Sequence, residues 1–162
     1  MKDLVIIAAI GENNELGLNN DLIWHLPGDL KFFKQQTMNK NIVMGINTFK
    51  SLPKLLPGRH HIVITHQNIE NPSITVVHSI EELLEYLDTI DDEVFVIGGA
   101  SIYKTLMPYS TKMLLTHINA THEADVYFPP INNEEWNKEL ISENEDNGIE
   151  YQHYSYTKKL KK

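Results

Sequence analysis

The chain contains no cysteine. That excludes a disulfide framework, a thiolate nucleophile and a cysteine-ligated zinc, and it fits a reducing compartment. Basic residues are also short. Lys and Arg number 14 against 22 Asp and Glu, for a formal net charge of -8. Proteins that grip a phosphate backbone concentrate positive charge, so nucleic acid is not an expected partner. The one basic cluster, Lys158 to Lys162, reads as a solvated tail. No apolar run approaches the length of a membrane span. Residues 4–10 are apolar, but only Lys2 and Asp3 precede them, which suits a buried strand better than a signal-peptide core. The expectation is a cytoplasmic protein with no membrane partner. Linkers, internal repeats and low-complexity segments are missing too, so residues 1–162 are expected to form one domain.

What is present is a series of short apolar runs bounded by Gly, Pro and Asn: 4–10, 41–44, 61–65, 74–77, 94–97 and 112–118. Most lack polar alternation, as expected of strands covered on both faces by helices. Helices are predicted over 27–37, 47–52, 80–88 and 100–107. Ser79 caps the third, with Glu81 and Glu82 in its first turn. Residues 137–160 alternate more and break at Asp146-Asn147-Gly148, a hairpin turn. The predicted class is α/β, with a mainly parallel central sheet, flanking helices and an antiparallel C-terminal hairpin.

Asp29 is the first chemical candidate. Pro27 suits the first turn of a helix. At ~100° per residue, Leu26, Phe32 and Phe33 then fall within roughly 60° of Asp29, whereas Lys31 and Lys34 point the other way. A carboxylate aimed into an apolar stripe needs hydrogen-bond donors or a shifted pKa. A capping residue would have to precede Pro27, where His25 and Leu26 stand, so a functional carboxylate is the preferred reading.

Two strand-to-helix turns carry glycine: Gly45, before Ile46, Asn47 and Thr48, and Gly98-Gly99, before Ala100, Ser101, Ile102 and Tyr103. Such turns let the backbone approach a ligand and offer free N–H groups to a phosphate, although each alone is equally a tight turn. The pair suggests a long ligand with a pyrophosphate. The Gly-x-Gly-x-x-Gly fingerprint is missing, so this is not a standard Rossmann site. Arg59 follows an apolar turn and could hold a carboxylate bidentately. The eight histidines show no persuasive metal-ligand spacing, and no metal is expected. His60, His61, His117 and His122 read as ordinary strand or surface residues.

Taken together, the chain resembles dihydrofolate reductases over essentially its whole length. The resemblance rests on Ile7-Ala8-Ala9, Leu16-Gly17, Trp24-His25-Leu26-Pro27-Gly28-Asp29-Leu30, Met44-Gly45, Thr48-Phe49, Leu56-Pro57-Gly58-Arg59, Ile97-Gly98-Gly99, Ile102-Tyr103, Leu115-Thr116-His117-Ile118 and Asp125 to Pro129. The Trp-x-Leu-Pro-x-Asp-Leu stretch is highly specific.

The resemblance implies reduction of dihydrofolate by NADPH and a role for each matching position. Asp29 would anchor the pterin through its 2-amino group and ring nitrogen, supported by the Thr116 hydroxyl. Leu30, Phe33, Ser51, Leu52 and Leu56 would line the wall around the substrate, and Arg59 would clamp its glutamate carboxylate. The carbonyls of Ile7 and Ile97 would face the far edge of the pterin. Ala9 would hold the nicotinamide carboxamide. Gly45, Asn47 and Thr48, with Gly98, Gly99, Ala100, Ser101 and Ile102, would hold the pyrophosphate. The loop from Gly11 to Trp24, through Leu16, Gly17, Asn20 and Leu22, would close over the nicotinamide. Leu22 and Tyr103 would join Asp29 at the reacting centre, with Tyr103 also against the cofactor. Antifolates would bind in the substrate's place, and the chain would act as a monomer.

Departures from the family pattern concern the cofactor. Many members carry Arg directly after the Met-Gly turn, where it pairs with the 2′-phosphate of NADPH; Ile46 stands here. A second basic position is Ser101. Ile64, Thr65 and His66, with His78 nearby, remain candidates for that phosphate. NADPH is therefore expected to be preferred less strongly than usual, with NADH tolerated. Ala124 replaces a common glycine before Asp125, which suggests stiffer loop coupling. Two other functions would fit parts of the pattern. One is a pterin or riboflavin-pathway reductase, which would need a different substrate grip. The other is a non-catalytic nucleotide-binding domain.

Overall fold

The computed structural model describes residues 3–19 and 21–159. Its centre is an eight-stranded sheet. The strands are β1 (Leu4–Ile10), β4 (Asn41–Gly45), β5 (His60–Ile64), β6 (Ile74–Val77), β7 (Val94–Gly98), β8 (Lys112–Ile118), β10 (Trp136–Asp146) and β11 (Ile149–Lys158). In space they run β10-β11-β8-β1-β7-β4-β5-β6. All pairings from β8 to β6 are parallel, and β11 pairs antiparallel with both β8 and β10.

Four helices cover the faces: α1 (Pro27–Thr37), α2 (Ile46–Ser51), α3 (Ile80–Leu87) and α4 (Ala100–Leu106), the last followed by a 3-10 turn over Met107–Tyr109. Their boundaries lie within one residue of those predicted. Along β1 successive side chains enter opposite cores. Leu4, Ile6 and Ile10 pack with Leu83, Leu87, Tyr103 and Leu106 from α3 and α4. Val5 and Ile7 pack with Phe32, Phe33 and Phe49 from α1 and α2. A strand buried on both faces needs apolar residues at every position, which is why β1 reads as an unbroken hydrophobic run.

The segment predicted as a plain loop between β1 and α1 contains a second small sheet. It comprises β2 (Glu15–Leu18) and β3 (Asp21–Leu22), with β9 (Val126–Tyr127) completing the order β3-β2-β9. Glu15 organises it. Its buried carboxylate accepts from the backbone N–H of Asn13 at 2.7 Å and of His122 at 2.9 Å. Burial alone would raise its pKa, but these backbone donors outweigh burial and lower it. Two distant loops are thereby tied beside the open end of the sheet.

Candidate active site

Open parallel sheets place ligands beyond the carboxyl ends of their strands. Here those ends surround one cavity of about 1310 Å³. That exceeds the usual range for a single small ligand, roughly 300–1,000 Å³, and suits two molecules side by side. Every candidate named from the sequence lines it except Asn20, which lies outside the described residues.

Asp29 sits in the first turn of α1. Leu26 is the N-cap residue and supplies no side-chain cap, and the Asp29 carboxylate does not cap the helix either. It points instead toward the sheet, where the Thr116 hydroxyl donates to Oδ1 at 2.6 Å. His153 Nε2 lies 3.0 Å from the same oxygen. The predicted support by Thr116 is therefore seen, and a second neighbour, His153, accompanies it. The sequence reading passed over His153. Its signal is faint: parity along β11 puts it on the same face as Tyr151, but only the pairing of β11 with β8 brings that face to Asp29.

Gly28 owes its identity to the same corner. Its N–H donates to Asp146 Oδ2 at 2.7 Å, and a Cβ there would collide with the Tyr151 hydroxyl. Asp29 is not the only acid facing the cavity. Asp21, on β3, also lines it, exposed and with Oδ1 accepting from the Leu22 N–H at 2.7 Å. Lys34, placed on the far side of α1 by the helical projection, reaches the cavity as well. A long flexible stem lets its head swing around the helix rim.

The apolar wall is formed by Leu30, Phe33, Leu52, Leu56 and Ile97, with Ser51 at its edge. Leu22 and Leu30 are about half exposed at the mouth, as befits side chains awaiting an apolar ligand. His61 lies on β5 and is buried, so of the two readings, surface or strand, the strand one holds. Its Nε2 accepts from the Leu56 N–H at 3.0 Å and so fixes the turn that carries Arg59. Arg59 is the only arginine in the chain. Its Nε donates to the Pro57 carbonyl at 3.0 Å and Nη1 lies 3.3 Å from Thr37 Oγ1. Those contacts leave part of its five-donor fork for a carboxylate.

At the other end of the cavity, α2 and α4 begin at Gly45 and Gly99, and neither has a side-chain cap. Thr48 lies between the two turns. A Cβ on Gly98, which has φ +134°, would stand 3.3 Å from Thr48 Oγ1, and one on Gly45 would stand 3.0 Å from Ile102 Cγ1. Backbone N–H groups with no capping partner, in a cradle that a methyl group would fill, fit a dinucleotide pyrophosphate. Tyr103 is fully buried below this cradle. Its hydroxyl donates to the Ile7 carbonyl at 2.8 Å, which ties α4 to the strand, and burial pushes the phenol's pKa up. Ile7's oxygen retains a second lone pair for a ligand.

Ile46, Ile64, Thr65, His66, His78 and Ser101 gather at the outer end of the same cavity. Thr65 Oγ1 accepts from the Gln67 N–H at 3.1 Å. His78 Nδ1 is 3.6 Å from Glu82 Oε2, a carboxylate that opposes an incoming phosphate. On the mouth side, Asp125 couples the loops. Its N–H donates to the Gly17 carbonyl at 3.0 Å, and its Oδ2 accepts from the Asn19 N–H at 3.0 Å.

This arrangement can be set beside known proteins. The model of the dihydrofolate reductase family matches residues 3–159. The chain belongs to that family. It is 38% identical over 157 residues to the dihydrofolate reductase of Bacillus subtilis (strain 168), covering 94% of this chain and 93% of the relative. It is 37% identical over 135 residues to the enzyme of Haemophilus influenzae (strain ATCC 51907 / DSM 11121 / KW20 / Rd), covering 83% and 84%. A solved structure of dihydrofolate reductase from Enterococcus faecalis, complexed with NADP(H) and RAB-propyl, superposes with a TM-score of 0.87 at 32% identity, over 96% of each chain. The family pattern led the sequence reading to Thr116 as the support for Asp29, and not to His153.

Proposed function

We propose that this chain reduces dihydrofolate to tetrahydrofolate with NADPH, supplying one-carbon metabolism, and that the residues above divide the work. The single observation that carries the reading is one continuous cavity with a donor-supported carboxylate at one end and two uncapped glycine turns at the other. Held by the two glycine turns, a bound NADPH would provide the hydride that the pterin C6 gains. Asp29 anchors the pterin and, as an anion beside it, favours the proton that N5 must gain. Thr116 orients that carboxylate. Leu30, Phe33, Ser51, Leu52, Leu56 and Ile97 form the slot, and Ile7 and Ala9 meet the rings through their backbones. Leu22, with Leu16 and Gly17 on β2, closes the mouth and excludes water, which strengthens every charge interaction inside. Gly45, Asn47, Thr48 and residues 98–102 hold the pyrophosphate. Antifolates compete at Asp29. The reading extends to the cytoplasm, on the cysteine-free composition, and to a chain acting as a monomer.

The test is the fall in near-ultraviolet absorbance as NADPH is oxidised on addition of dihydrofolate. Binding of NADPH without turnover would indicate a non-catalytic nucleotide-binding domain. Run with both cofactors, the assay also checks the phosphate end. With Ile46 in place of a guanidinium, selectivity falls to His66 and His78. Replacing both, His66→Gln with His78→Gln, is expected to lower the NADPH-to-NADH ratio of kcat/KM several-fold. A ratio unchanged in that double variant would exclude the histidines from phosphate recognition.

Arg59→Ala is expected to raise KM for dihydrofolate about 10-fold or more, the scale of a lost charge-assisted pair. Pterin substrates lacking glutamate should keep their KM, and an equal rise for both would remove Arg59 from the glutamate site.

A further inference from the structure

β8 and β11 pair so that Thr116 and His153 stand directly opposite each other, and both reach Asp29 Oδ1. The His153 ring is 4% exposed. It stacks on Phe32, with ring centroids 3.8 Å apart and planes inclined by 12°. Its other nitrogen is equally engaged. Nδ1 lies 3.0 Å from Ser142 Oγ and 3.4 Å from Asn144 Nδ2, and that amide nitrogen lies 3.1 Å from the same Oγ. The amide nitrogen can only donate, so its approach favours an acceptor at Nδ1, with the Ser142 hydroxyl beside the same lone pair. Nδ1 is thus an acceptor, and the ring proton sits on Nε2, facing Asp29. A bulge in β10 builds this arrangement: Leu140 pairs with Tyr154 but Ser142, not Ile141, pairs with His153.

We infer that His153 is a second positioning residue for Asp29: its Nε2–H, in the tautomer set by Ser142 and Asn144, holds Oδ1 and leaves Oδ2 for the ligand. A donor to a carboxylate makes a charge-assisted bond, stronger than a neutral one. Two donors on one oxygen also fix the plane in which the other oxygen meets a ligand. The ligand chemistry this selects is a cationic amino-heterocycle, whose charge the fixed anion complements. The titratable groups facing the ring are Asp29 on α1, Tyr151 on β11 at 5.5 Å between centroids, and Asp146 on β10 behind Tyr151. The Tyr151 hydroxyl donates to Asp146 Oδ2 at 2.7 Å, so its proton is committed away from His153. Thr116 on β8 adds a donor without a charge. The inference rests on Asp29 being the anchor for the pterin.

The test uses a diaminopyrimidine as the probe and the cofactor-free protein, with affinity measured at neutral pH. His153→Phe keeps a flat ring against Phe32 and removes the donor. His153→Gln restores an N–H. In His153→Phe affinity is expected to fall about 10-fold, the scale of one lost charge-assisted donor. His153→Gln should recover at least half of that loss on a logarithmic scale. If the ring serves only packing, His153→Phe will bind as tightly as the parent, or His153→Gln no better than His153→Phe, and the inference is overturned. Asp29→Asn separates the two levels. Tight binding by that variant would remove Asp29 as the anchor. Lost binding in Asp29→Asn, with affinity unchanged in His153→Phe, would remove His153 alone. Should the phenylalanine variant not fold, nitrogen NMR of the native protein decides. A protonated Nε2 and bare Nδ1 on His153 are expected, and the opposite tautomer would overturn the inference.

Discussion

Asp29→Asn is expected to fold normally and to lose turnover at neutral pH by roughly two to four orders of magnitude, the scale of a lost group that manages a proton. The fold should survive because the amide oxygen of Asn can still accept from the Thr116 hydroxyl and the His153 Nε2–H, and α1 does not use the carboxylate as a cap. Function should not survive, for two reasons. The ligand side of an amide can present N–H groups where the pterin also presents them. The neutral side chain also no longer stabilises positive charge at N5. Acid offsets only the second loss. As pH falls, substrate arrives already protonated, so the gap between variant and parent should narrow on the acid side. Steady-state kcat and kcat/KM across pH check this. Profiles that run parallel would show that Asp29 binds the pterin without handling its proton.

Much of this site is legible from local signals. Pro27 marks the start of α1, and helical geometry then turns Asp29 toward Phe32 and Phe33, where the structure places it. The turns at Gly45 and Gly98-Gly99 announce themselves because a hydrophobic strand, a glycine and a helix follow in immediate succession. Each of these signals spans fewer than about a dozen residues, the range over which backbone periodicity carries information. The membership of the rest of the cavity came from resemblance, not from period or composition.

What was not legible depends on register between distant strands. His153 lies 124 residues from Asp29, and its ring faces the carboxylate only because one extra residue in β10 puts Ser142 opposite it. Alternation in a strand gives two faces but not which neighbour each face meets, and a one-residue slip exchanges them. Glu15 is a second case. An acid in a Gly- and Asn-rich stretch reads as solvated loop, yet backbone N–H groups from two loops enclose it. His61 is a third. Nothing local distinguishes a histidine that accepts from the Leu56 N–H from one that faces water.

Two histidines, His117 and His61, make the fold sensitive to acid, and lowering the pH from about 7.5 to about 5 is expected to reduce folding stability. His117 carries the larger traceable share. Burial, then the nearby charge of Lys138, lowers its pKa from 6.5 to about 4. Its Nε2 lies 2.7 Å from the Tyr156 hydroxyl, and its ring edge meets Tyr154 with centroids 5.0 Å apart. Burial likewise lowers the pKa of His61, and protonation there would end its acceptance of the Leu56 N–H. In both cases the native state resists a proton that the unfolded chain takes up near the ordinary histidine value of roughly 6.5. Stability is therefore complete above that value, declines as pH falls from it toward about 4, and levels off below the native pKa of His117. Glu15, whose pKa is lowered in the native state, adds a separate loss below its ordinary 4.5, as the unfolded carboxylate takes up protons first. His117→Gln removes the titration and keeps an atom able to meet Tyr156. By urea unfolding, it should narrow the stability gap between about pH 7.5 and about pH 5 by about 1 kcal/mol, the scale of the His117 pKa difference discounted for the part of the ring that water screens. A gap as wide in the variant as in the parent would exclude His117 as an acid trigger and move the acid sensitivity to His61, the buried histidine beneath the Arg59 turn.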